Sequence, residues 1–304
     1  MTSSRALTSI VFLLSVAGAA VMTASPCLSG VALAAPVVSG GAGASGATSA
    51  TPARPALPAA RSVDAILTDV VAAVGGAAAL GKHRSLHTKM EITFKGLGIT
   101  GTAEHYGAVG DKALTITEIP NLASTREGSD GTHHWSEDPI NGLRLLMGVE
   151  AEQARVEAAW NAELRMKSLF QKVEANNDRA DDGTLLECLT LTPKLGPLLI
   201  NCFDAQTHLM TLQKGVRSGP QGDMPFTARL SDWRAVGDVK MAYATDMQVG
   251  PLAFMGRVTS IEVDVPTPAT LFAMPAGGSK ARKQTSKQTS KPAKGDGSAK
   301  PAKR

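Results

Sequence analysis

The stretch GSDGTHHWSEDPINGLRLLMG, residues 128–148, contains two adjacent histidines, a tryptophan and several turn-forming residues. Its order predicts a short strand, then an Asp138-Pro139 turn, then a Gly-x-Arg-x-Leu run that starts at Gly142 and leads into a helix. Successive side chains of a strand point to opposite faces, so His133 and His134 cannot jointly bind one ion. The stretch therefore has a structural interpretation before a chemical one.

Patterns for metal binding and catalysis are weak along the chain. His134 and Asp138 share a strand face but lie about 13 Å apart at roughly 3.3 Å per residue. The sequence has no HExxH motif, no G-x-S-x-G elbow and no Gly-rich phosphate loop that opens a helix. We therefore expect no catalytic residue, no metal and no cofactor. A metal-dependent hydrolase stays as the least favoured alternative, and it needs His133 or His134 to converge with distant ligands.

The N-terminal segment has the features of a secretory signal. Arg5 precedes a mostly apolar run, and Ala32-Leu33-Ala34 forms an A-x-A cleavage site. We predict a signal peptide over residues 1–34 and therefore an exported mature protein. A membrane anchor is the alternative, and lipidation of Cys27 is disfavoured because Pro26 occupies a position that needs a small residue.

Two further segments have compositions that do not support a packed core. Residues 35–61 are a linker of mostly Ala, Gly, Ser, Thr, Val and Pro. Residues 277–304 carry nine Lys or Arg and one Asp, a charge of +8 in a chain of total charge +4. Both segments are expected to be disordered.

The basic tail predicts an anionic partner. Residues 280–304 suit an anionic envelope surface, and attraction to phosphate carries no sequence preference, so we expect no specific nucleic-acid partner. A tail that only increases solubility is the alternative. Truncation after Ala276 followed by salt-dependent binding to anionic vesicles tests this expectation, and unchanged binding contradicts it.

A folded domain is expected over residues 62–276, long enough for a large core or a cavity. Ser62 suits an N-cap, and apolar residues then recur at helical spacing until Gly75-Gly76. A second helix is predicted over residues 150–167, with acidic residues early and basic residues late. Its apolar stripe is Val149, Val156, Trp160 and Leu164.

Most of the domain shows the two-residue period of β-strands. The period is clearest from Ser85 onward and recurs around Met241 and Ile261. Short alternating segments separated by Gly, Asp or Pro favour one long antiparallel sheet over a βαβ fold. We therefore predict an α+β fold, a strongly curved antiparallel sheet or incomplete β-barrel of about ten or eleven strands, covered by a helical lid.

Two cysteines lie in this domain, in the apolar runs on either side of a Pro-Lys-Leu-Gly-Pro break. A hairpin centred on Leu195 places Cys188 and Cys202 directly opposite each other. Opposed residues of antiparallel strands are close enough for a disulfide, and export favours oxidation. We predict a Cys188–Cys202 disulfide, with two buried free thiols as the alternative.

A curved sheet under helices can leave a hollow between them. Methionine side chains suit such a space because they adapt to an irregular apolar ligand. An ordinary filled core is the alternative interpretation. The candidate ligand-binding residues are Met90, Ile92, Phe94, Trp160, Met241, Tyr243 and Met247.

The run 128–148 resembles a pattern of outer-membrane lipoprotein-sorting proteins of the LolA-like superfamily. The likeness continues through LTLTPKLGPLLINCFDAQTHL (189–209) and SDWRAVGDVKMAYAT (231–245) and spans most of residues 63–275. The sequence departs from that pattern at Trp233, Asp238 and Ala242, where Tyr, Gly and Pro are usual. The residues of the first run that carry the resemblance are Asp130, Gly131, Trp135, Asp138, Pro139, Gly142 and Arg144.

The resemblance implies an incomplete antiparallel barrel whose hollow takes acyl chains of lipoproteins or lipids. On that basis the favoured hypothesis is a non-catalytic carrier or chaperone in the periplasm or cell envelope of a Gram-negative bacterium. It predicts an apolar hollow that is reached from solvent. The alternative is an envelope-associated binding or scaffold domain with a filled core and a polyanion-binding tail, and it predicts no hollow that can hold a chain.

Overall fold

Thirteen strands form one antiparallel sheet in the computed structural model of this protein, which describes residues 56–276. The predicted signal peptide, most of the linker and the basic tail lie outside the described residues. Within residues 56–276, no helix is both long and apolar enough to cross a membrane. The helices are α1 (Val63–Ala73), α2 (Ala77–Leu80), α3 (Gly148–Glu157), α4 (Ala162–Leu169) and α5 (Ala269–Phe272).

The strands follow one another across the sheet with a single exception. Neighbours in sequence are neighbours in space from β1 to β6 and from β7 to β13, and β1 pairs with β13. The strands are β1 (Ser85–Phe94), β2 (Ile99–Ala108), β3 (Lys112–Ile119), β4 (Ala123–Asp130), β5 (His134–Asp138), β6 (Gly142–Leu145), β7 (Lys172–Arg179), β8 (Leu185–Thr192), β9 (Leu199–Asp204), β10 (Met210–Gly219), β11 (Gly222–Val236), β12 (Val239–Val249) and β13 (Leu252–Val263).

Strands β6 and β7 are the two edges of the sheet and do not pair with each other, so the barrel stays open. The predicted incomplete antiparallel barrel is confirmed, with thirteen strands where ten or eleven were expected. The two strands missing from the prediction are these edges. The first, GLRL, is only four residues long, and the second, KVEANNDR, has two apolar residues in eight, since an edge strand buries little.

The lid differs from the single helix predicted over residues 150–167. The chain leaves the helix after Glu157, and Asn161 adopts a left-handed conformation (φ +54°) before α4 begins. Asparagine is among the few residues that adopt this conformation at low cost. The apolar stripe is interrupted as a result: Val156 and Trp160 are buried, whereas Leu164 is exposed.

The main core lies between the concave face of the sheet and helices α1 and α4. Ile66 and Val70 of α1 and Met166 and Leu169 of α4 pack against side chains of β1 and of β8 to β13. The core residues contributed by these strands include Met90, Ile92, Phe94, Leu189, Leu191, Phe203, Phe226, Leu230, Met247, Val249 and Phe254.

The run 128–148 is built around turns and one buried tryptophan on the convex face. The Asp130 carboxylate accepts hydrogen bonds from the backbone of Thr132 and His133, and Asp138 does the same for the turn between β5 and β6. Trp135 is fully buried, and its Nε1 donates to the carbonyl oxygen of Phe272, 3.1 Å away. This contact attaches the C-terminal helix α5 to the sheet.

The two cysteines lie on the convex face of β8 and β9. Cys188 and Cys202 are directly opposite each other in the register of these strands, and they form a disulfide with Cα atoms 4.0 Å apart. Leu186 and Leu212 pack with them in a small buried cluster. The disulfide therefore fixes the hairpin whose loop reaches the lid.

A substitution at Gly128 tests the packing of Trp135. A Cβ at Gly128 would lie 2.3 Å from ring atoms of Trp135, whereas a Cβ at Gly219 would meet only the flexible end of Gln221 at 4.0 Å. We expect Gly128→Ala to destabilise the fold by about 1–3 kcal/mol through overpacking. The control Gly219→Ala should change stability by less than about 0.5 kcal/mol. Urea unfolding measures both, and equal effects would contradict this account of Trp135.

Candidate functional site

Helix α3 lies across the opening of the barrel and is the element that closes it. It contacts β5 on one half of the sheet and β10 on the other. Only Glu152 and Val156 of its ten residues are buried. An amphipathic surface helix normally buries a continuous apolar stripe. Most of the attachment of α3 must therefore come from polar contacts.

The central contact is a cluster of three charged side chains. Arg217 of β10 donates from Nη2 to Glu127 of β4, with Nη2 and Oε2 3.0 Å apart. Its Nη1 donates to Glu157 at the end of α3. The three side chains are only 16%, 20% and 15% exposed in the order Arg217, Glu127, Glu157. One guanidinium thus joins the lid to both halves of the sheet.

The charges of this cluster are stabilised mutually. Burial lowers the pKa of Arg217, but attraction to Glu157 and Glu127 outweighs that effect and raises it above the ordinary value. Burial raises the pKa of the Glu157 carboxyl, and the guanidinium opposes that rise only in part. Removal of the guanidinium would therefore leave two carboxylates facing each other in a poorly hydrated place.

Further hydrogen bonds attach the body of α3. Gln153 Nε2 donates to the carbonyl oxygen of Val216 at 2.7 Å, and its Oε1 accepts from the backbone N–H of Ser218 at 3.1 Å. Both partners belong to β10. At the start of the helix, Glu150 accepts two hydrogen bonds from the guanidinium of Arg144, at 2.8 and 2.7 Å.

The loop between β8 and β9 holds the other side of α3. Glu152 accepts from the backbone N–H of Lys194 at 2.9 Å and from Arg155 at 2.8 and 2.9 Å. Gly196 lies against Val149, since a Cβ built at Gly196 would be 2.5 Å from Val149 Cγ1. The lid is therefore held at its start, middle and end by short-range contacts.

Three small cavities lie beside α3, with volumes of about 40, 30 and 40 Å³. Residues of α3 line all three, and one is largely apolar, with Val156, Phe170, Leu198 and Leu199 in its walls. Pockets that hold drug-sized ligands measure about 300–1,000 Å³. The lid in this position leaves no room beside α3 for an acyl chain.

A larger groove of about 450 Å³ separates α1 from α4. Leu67, Val71, Leu164 and Met166 contribute apolar surface to it, and Asp64 and Lys167 are also among its lining residues. Leu67 and Met166 also pack in the main core. This groove is open to solvent and lies outside the space that α3 covers.

The candidate ligand-binding residues from the sequence fall into three groups. Met90, Ile92, Phe94 and Met247 lie in the main core on the concave face. Trp160 and Met241 belong to a second cluster that packs around Val74, which follows α1, and Leu80 of α2. Tyr243 is only half-buried and stacks with the guanidinium of Arg234, 4.5 Å from the ring centre.

The two histidines of the run 128–148 differ in their surroundings, because His133 belongs to the turn before β5 and His134 is the first residue of that strand. His133 is 62% exposed and contacts Asp130, whereas His134 is buried, and burial lowers the pKa of its imidazole. Across residues 56–276, no group of three or more His, Cys, Asp or Glu side chains is arranged to hold a metal ion.

Sequence reasoning did not identify the side chains that hold the lid. Arg217 lies 90 residues from Glu127 and 60 from Glu157, so no local spacing connects them. Gln153 has no distinguishing pattern around it. Of the residues named from the sequence, Arg144 does contact the lid, through Glu150.

The fold and this site define a class of protein, an open antiparallel barrel closed by a short helix with a polar attachment. No protein-family model and no curated protein matches the chain. Solved structures similar to this chain include a LolA superfamily protein from Nitrosomonas europaea. The two sequences are 10% identical, the match covers 70% of this chain and 98% of the other chain, and the TM-score is 0.46.

A DUF1329 family protein from Desulfovibrio piger has 10% identity, covers 69% and 97% of the two chains and has a TM-score of 0.46. A domain from Vibrio parahaemolyticus, provisionally described as an outer membrane lipoprotein-sorting protein, has 12% identity, coverage of 68% and 94%, and a TM-score of 0.44.

Arg217→Met tests the charged cluster. The folded state binds a proton at Glu157 more tightly than the unfolded state does, because burial raises the pKa. That contribution to stability is lost as pH rises through the raised pKa. Without Arg217 the pKa should rise further, so we expect a loss of about 3–5 kcal/mol at pH 8 and a smaller loss at pH 5.

Urea unfolding at the two pH values measures the difference. Lys214→Met on the same strand is the control, since its side chain is 44% exposed, and it should change stability by less than about 0.5 kcal/mol. A loss that is equal at both pH values would show that the carboxylates do not depend on Arg217.

Proposed function

We propose that this protein is a non-catalytic carrier that binds acyl chains of lipoproteins or lipids between the concave face of the sheet and a movable α3. The observation that carries the proposal is the polar attachment of α3. Its contacts through Gln153, Glu150, Glu152 and Glu157 can be exchanged for contacts with water when the helix moves. A lid attached in this way opens without exposing much apolar surface of its own.

The surface beneath the lid supports the same proposal. The main core, to which Val156 of α3 belongs together with residues of α1 and α4, includes Phe203 and Phe226 of the concave face. Phe170 and Leu199 line the apolar cavity next to α3. Each methylene transferred from water to such a surface contributes about 0.8 kcal/mol. Displacement of α3 would uncover this core at Phe170 and Leu199 and would therefore give an acyl chain a favourable surface.

The small cavities favour the alternative function, an envelope-associated binding or scaffold domain with a filled core. Volumes of about 30–40 Å³ beside α3 hold water-sized groups at most. In that case α3 never leaves the sheet, and acyl probes do not bind beneath it. The two functions therefore differ in one property, which is whether α3 moves.

The proposed function includes a location in the periplasm. A carrier of acyl chains is needed where such chains must cross water, which suits the periplasm expected from the N-terminal sequence. The solved structures described above include an outer membrane lipoprotein-sorting domain, and a carrier role in the envelope agrees with that description. The anionic surface expected for residues 280–304 stays a prediction.

A disulfide between α3 and the β8–β9 loop tests lid movement. The Cβ of Val149 and a Cβ built at Gly196 are 3.6 Å apart, within the roughly 3.5–4.5 Å range for disulfides. We expect Val149→Cys/Gly196→Cys, in a Cys27→Ser background, to bind a dansyl-labelled fatty acid at least about tenfold more weakly when oxidised than when reduced. Fluorescence titration in both redox states measures this.

Each single cysteine variant is a control. Gly196→Cys reports the strain of a side chain at φ +94°, and Val149→Cys reports the loss of the valine. Equal binding in the oxidised and reduced states would contradict a site beneath α3. That result would favour the groove between α1 and α4 as the binding site. No binding in either state would favour the scaffold alternative.

A further inference from the structure

The turns between strands lie at two opposite ends of the barrel. Every strand is antiparallel to its neighbours, so turns that join successive strands alternate between the two ends. Six turns form the upper end and five form the lower end. The upper turns are residues 95–98, 120–122, 139–141, 193–198, 220–221 and 250–251, and the lower turns are residues 109–111, 131–133, 180–184, 205–209 and 237–238.

The two ends differ in their exposed apolar side chains. Among the turns that the structure describes, every exposed large apolar side chain lies at the upper end. Leu97, Leu122 and Ile140 are 56%, 46% and 64% exposed, and Leu195 and Leu198 are 54% and 50% exposed. These five side chains occupy four of the six upper turns. The upper end therefore presents apolar groups to water on several separate tips.

The charged residues of the turns are distributed in the opposite way. The charged residues of the described upper turns are Lys95, which pairs with Asp246 of β12, and the exposed Lys194. The carboxylates of Glu118 and Asp223 lie inside β3 and β11, two residues away from the turns. At two residues of about 3.3 Å each, they are set back by about 7 Å. The acidic turn residues are all at the lower end, and they are Asp111, Asp181, Asp182 and Asp238.

Proline is also confined to the upper turns. Five of the six upper turns contain proline, whereas the five lower turns, all of them within the described residues, contain none. Proline has no backbone N–H group, and a backbone N–H that leaves water without a partner is costly. The upper tips therefore lose fewer hydrogen bonds with water when they enter an apolar layer. These prolines are Pro120, Pro139, Pro193, Pro197, Pro220 and Pro251.

A lipid bilayer fits the upper end better than a protein partner does. Successive upper turns are about 10 Å apart along the sheet, since each is two strands from the next. Isolated tips at that spacing do not form the continuous, well-packed patch that a stable protein interface needs. A bilayer has no fixed shape to match, and apolar groups enter its boundary layer to a depth of about 5–10 Å. At that depth the carboxylates of Glu118 and Asp223 stay near the headgroups.

The basic tail adds a second attraction to the same surface. Residues 277–304 carry a charge of +8 in 28 residues, and a chain of that length spans at most about 95 Å. The ten residues of β1 cover only about 33 Å. The tail is therefore long enough to reach a membrane that faces the upper end. Lysine and arginine are attracted to anionic headgroups, and stable membrane anchoring usually takes two such signals together.

We propose that the upper end of the barrel docks on an anionic lipid bilayer by inserting the apolar side chains of its turn tips, while the basic tail is attracted to the headgroups. The inserted side chains are Leu97, Leu122, Ile140, Leu195 and Leu198. This inference goes beyond the proposed carrier function and does not depend on whether α3 moves. Leu198 also lines the apolar cavity next to α3, so the docked membrane would lie beside the lid.

Leu97→Ser/Leu122→Ser tests the insertion. Residues 35–304, which follow the predicted signal peptide and contain the whole described fold, are sedimented with vesicles of phosphatidylethanolamine and phosphatidylglycerol. At about 0.5 M NaCl, which screens the attraction of the tail, we expect the variant to bind at least about tenfold more weakly than the wild type. The reason is that two leucine side chains no longer leave water on binding.

Leu57→Ser/Leu164→Ser is the matched control, because these leucines are 46% and 39% exposed and lie outside the turns. It should bind the vesicles as the wild type does. Both double variants change exposed side chains only, so their unfolding midpoints in urea should equal that of the wild type. A chain truncated after Ala276 should lose most of the salt dependence of binding and keep the binding that remains at about 0.5 M NaCl.

Three results would overturn the proposal. They are equal binding by Leu97→Ser/Leu122→Ser and the wild type, a loss of equal size in the control, and a wild-type chain that does not bind the vesicles. A wild-type dimer in sedimentation velocity without vesicles, which Leu97→Ser/Leu122→Ser dissociates, would assign the upper end to contacts between copies instead. Unchanged salt dependence after truncation would contradict the part assigned to the tail. The carrier function is tested separately, by binding of the dansyl-labelled fatty acid without vesicles.

Discussion

The contact between Arg217, Glu127 and Glu157 joins α3 to both halves of the sheet. Its three members belong to β10, β4 and α3, and together they span the opening between the two halves of the sheet. A well-packed apolar cluster at the same place is often as stable as a buried ion pair or more so. A charged contact that is directional and can be hydrated would suit the movable lid of the proposed carrier function.

In the proposed function, the polar attachment of α3 allows the helix to move, and the apolar surface beneath it binds the acyl chain. Val156 is the one apolar residue among the ten of α3 that is buried, so movement of the helix removes little apolar contact. Displacement of the helix would uncover apolar side chains of the main core, such as Phe170 and Leu199. Under the proposed carrier function, an acyl chain would take the place of α3 there, and return of the helix would accompany release of the chain.

Much of this fold could be predicted from the sequence, because a half-buried strand repeats every two residues. The alternation of Met90, Ile92 and Phe94 identified β1, and the symmetry of the Pro-Lys-Leu-Gly-Pro break about Leu195 gave the register that opposes the two cysteines. Edge strands β6 and β7 and the break at Asn161 were not predicted. Edge strands bury too few side chains to require a long alternation of apolar and polar residues. An asparagine in the left-handed conformation does not change the hydrophobic pattern from which a helix is predicted.

The site was less predictable than the fold. Contacts such as Gln153 with Val216 and Ser218 join positions more than sixty residues apart, and polar side chains carry no period that reveals their partners. His133 lies in the turn before β5 and His134 is the first residue of that strand. Neither of these histidines, which first suggest chemistry, holds the lid.

The central claim, that α3 leaves the sheet when an acyl chain binds, has direct reporters in two backbone amides. The N–H groups of Ser218 and Lys194 donate to the side chains of Gln153 and Glu152 on α3. Hydrogen exchange should quicken at both amides when an acylated peptide saturates the protein, while amides at the centre of the sheet, such as that of Ile92, stay protected. Unchanged or slower exchange at Ser218 and Lys194 with the peptide bound would contradict the claim.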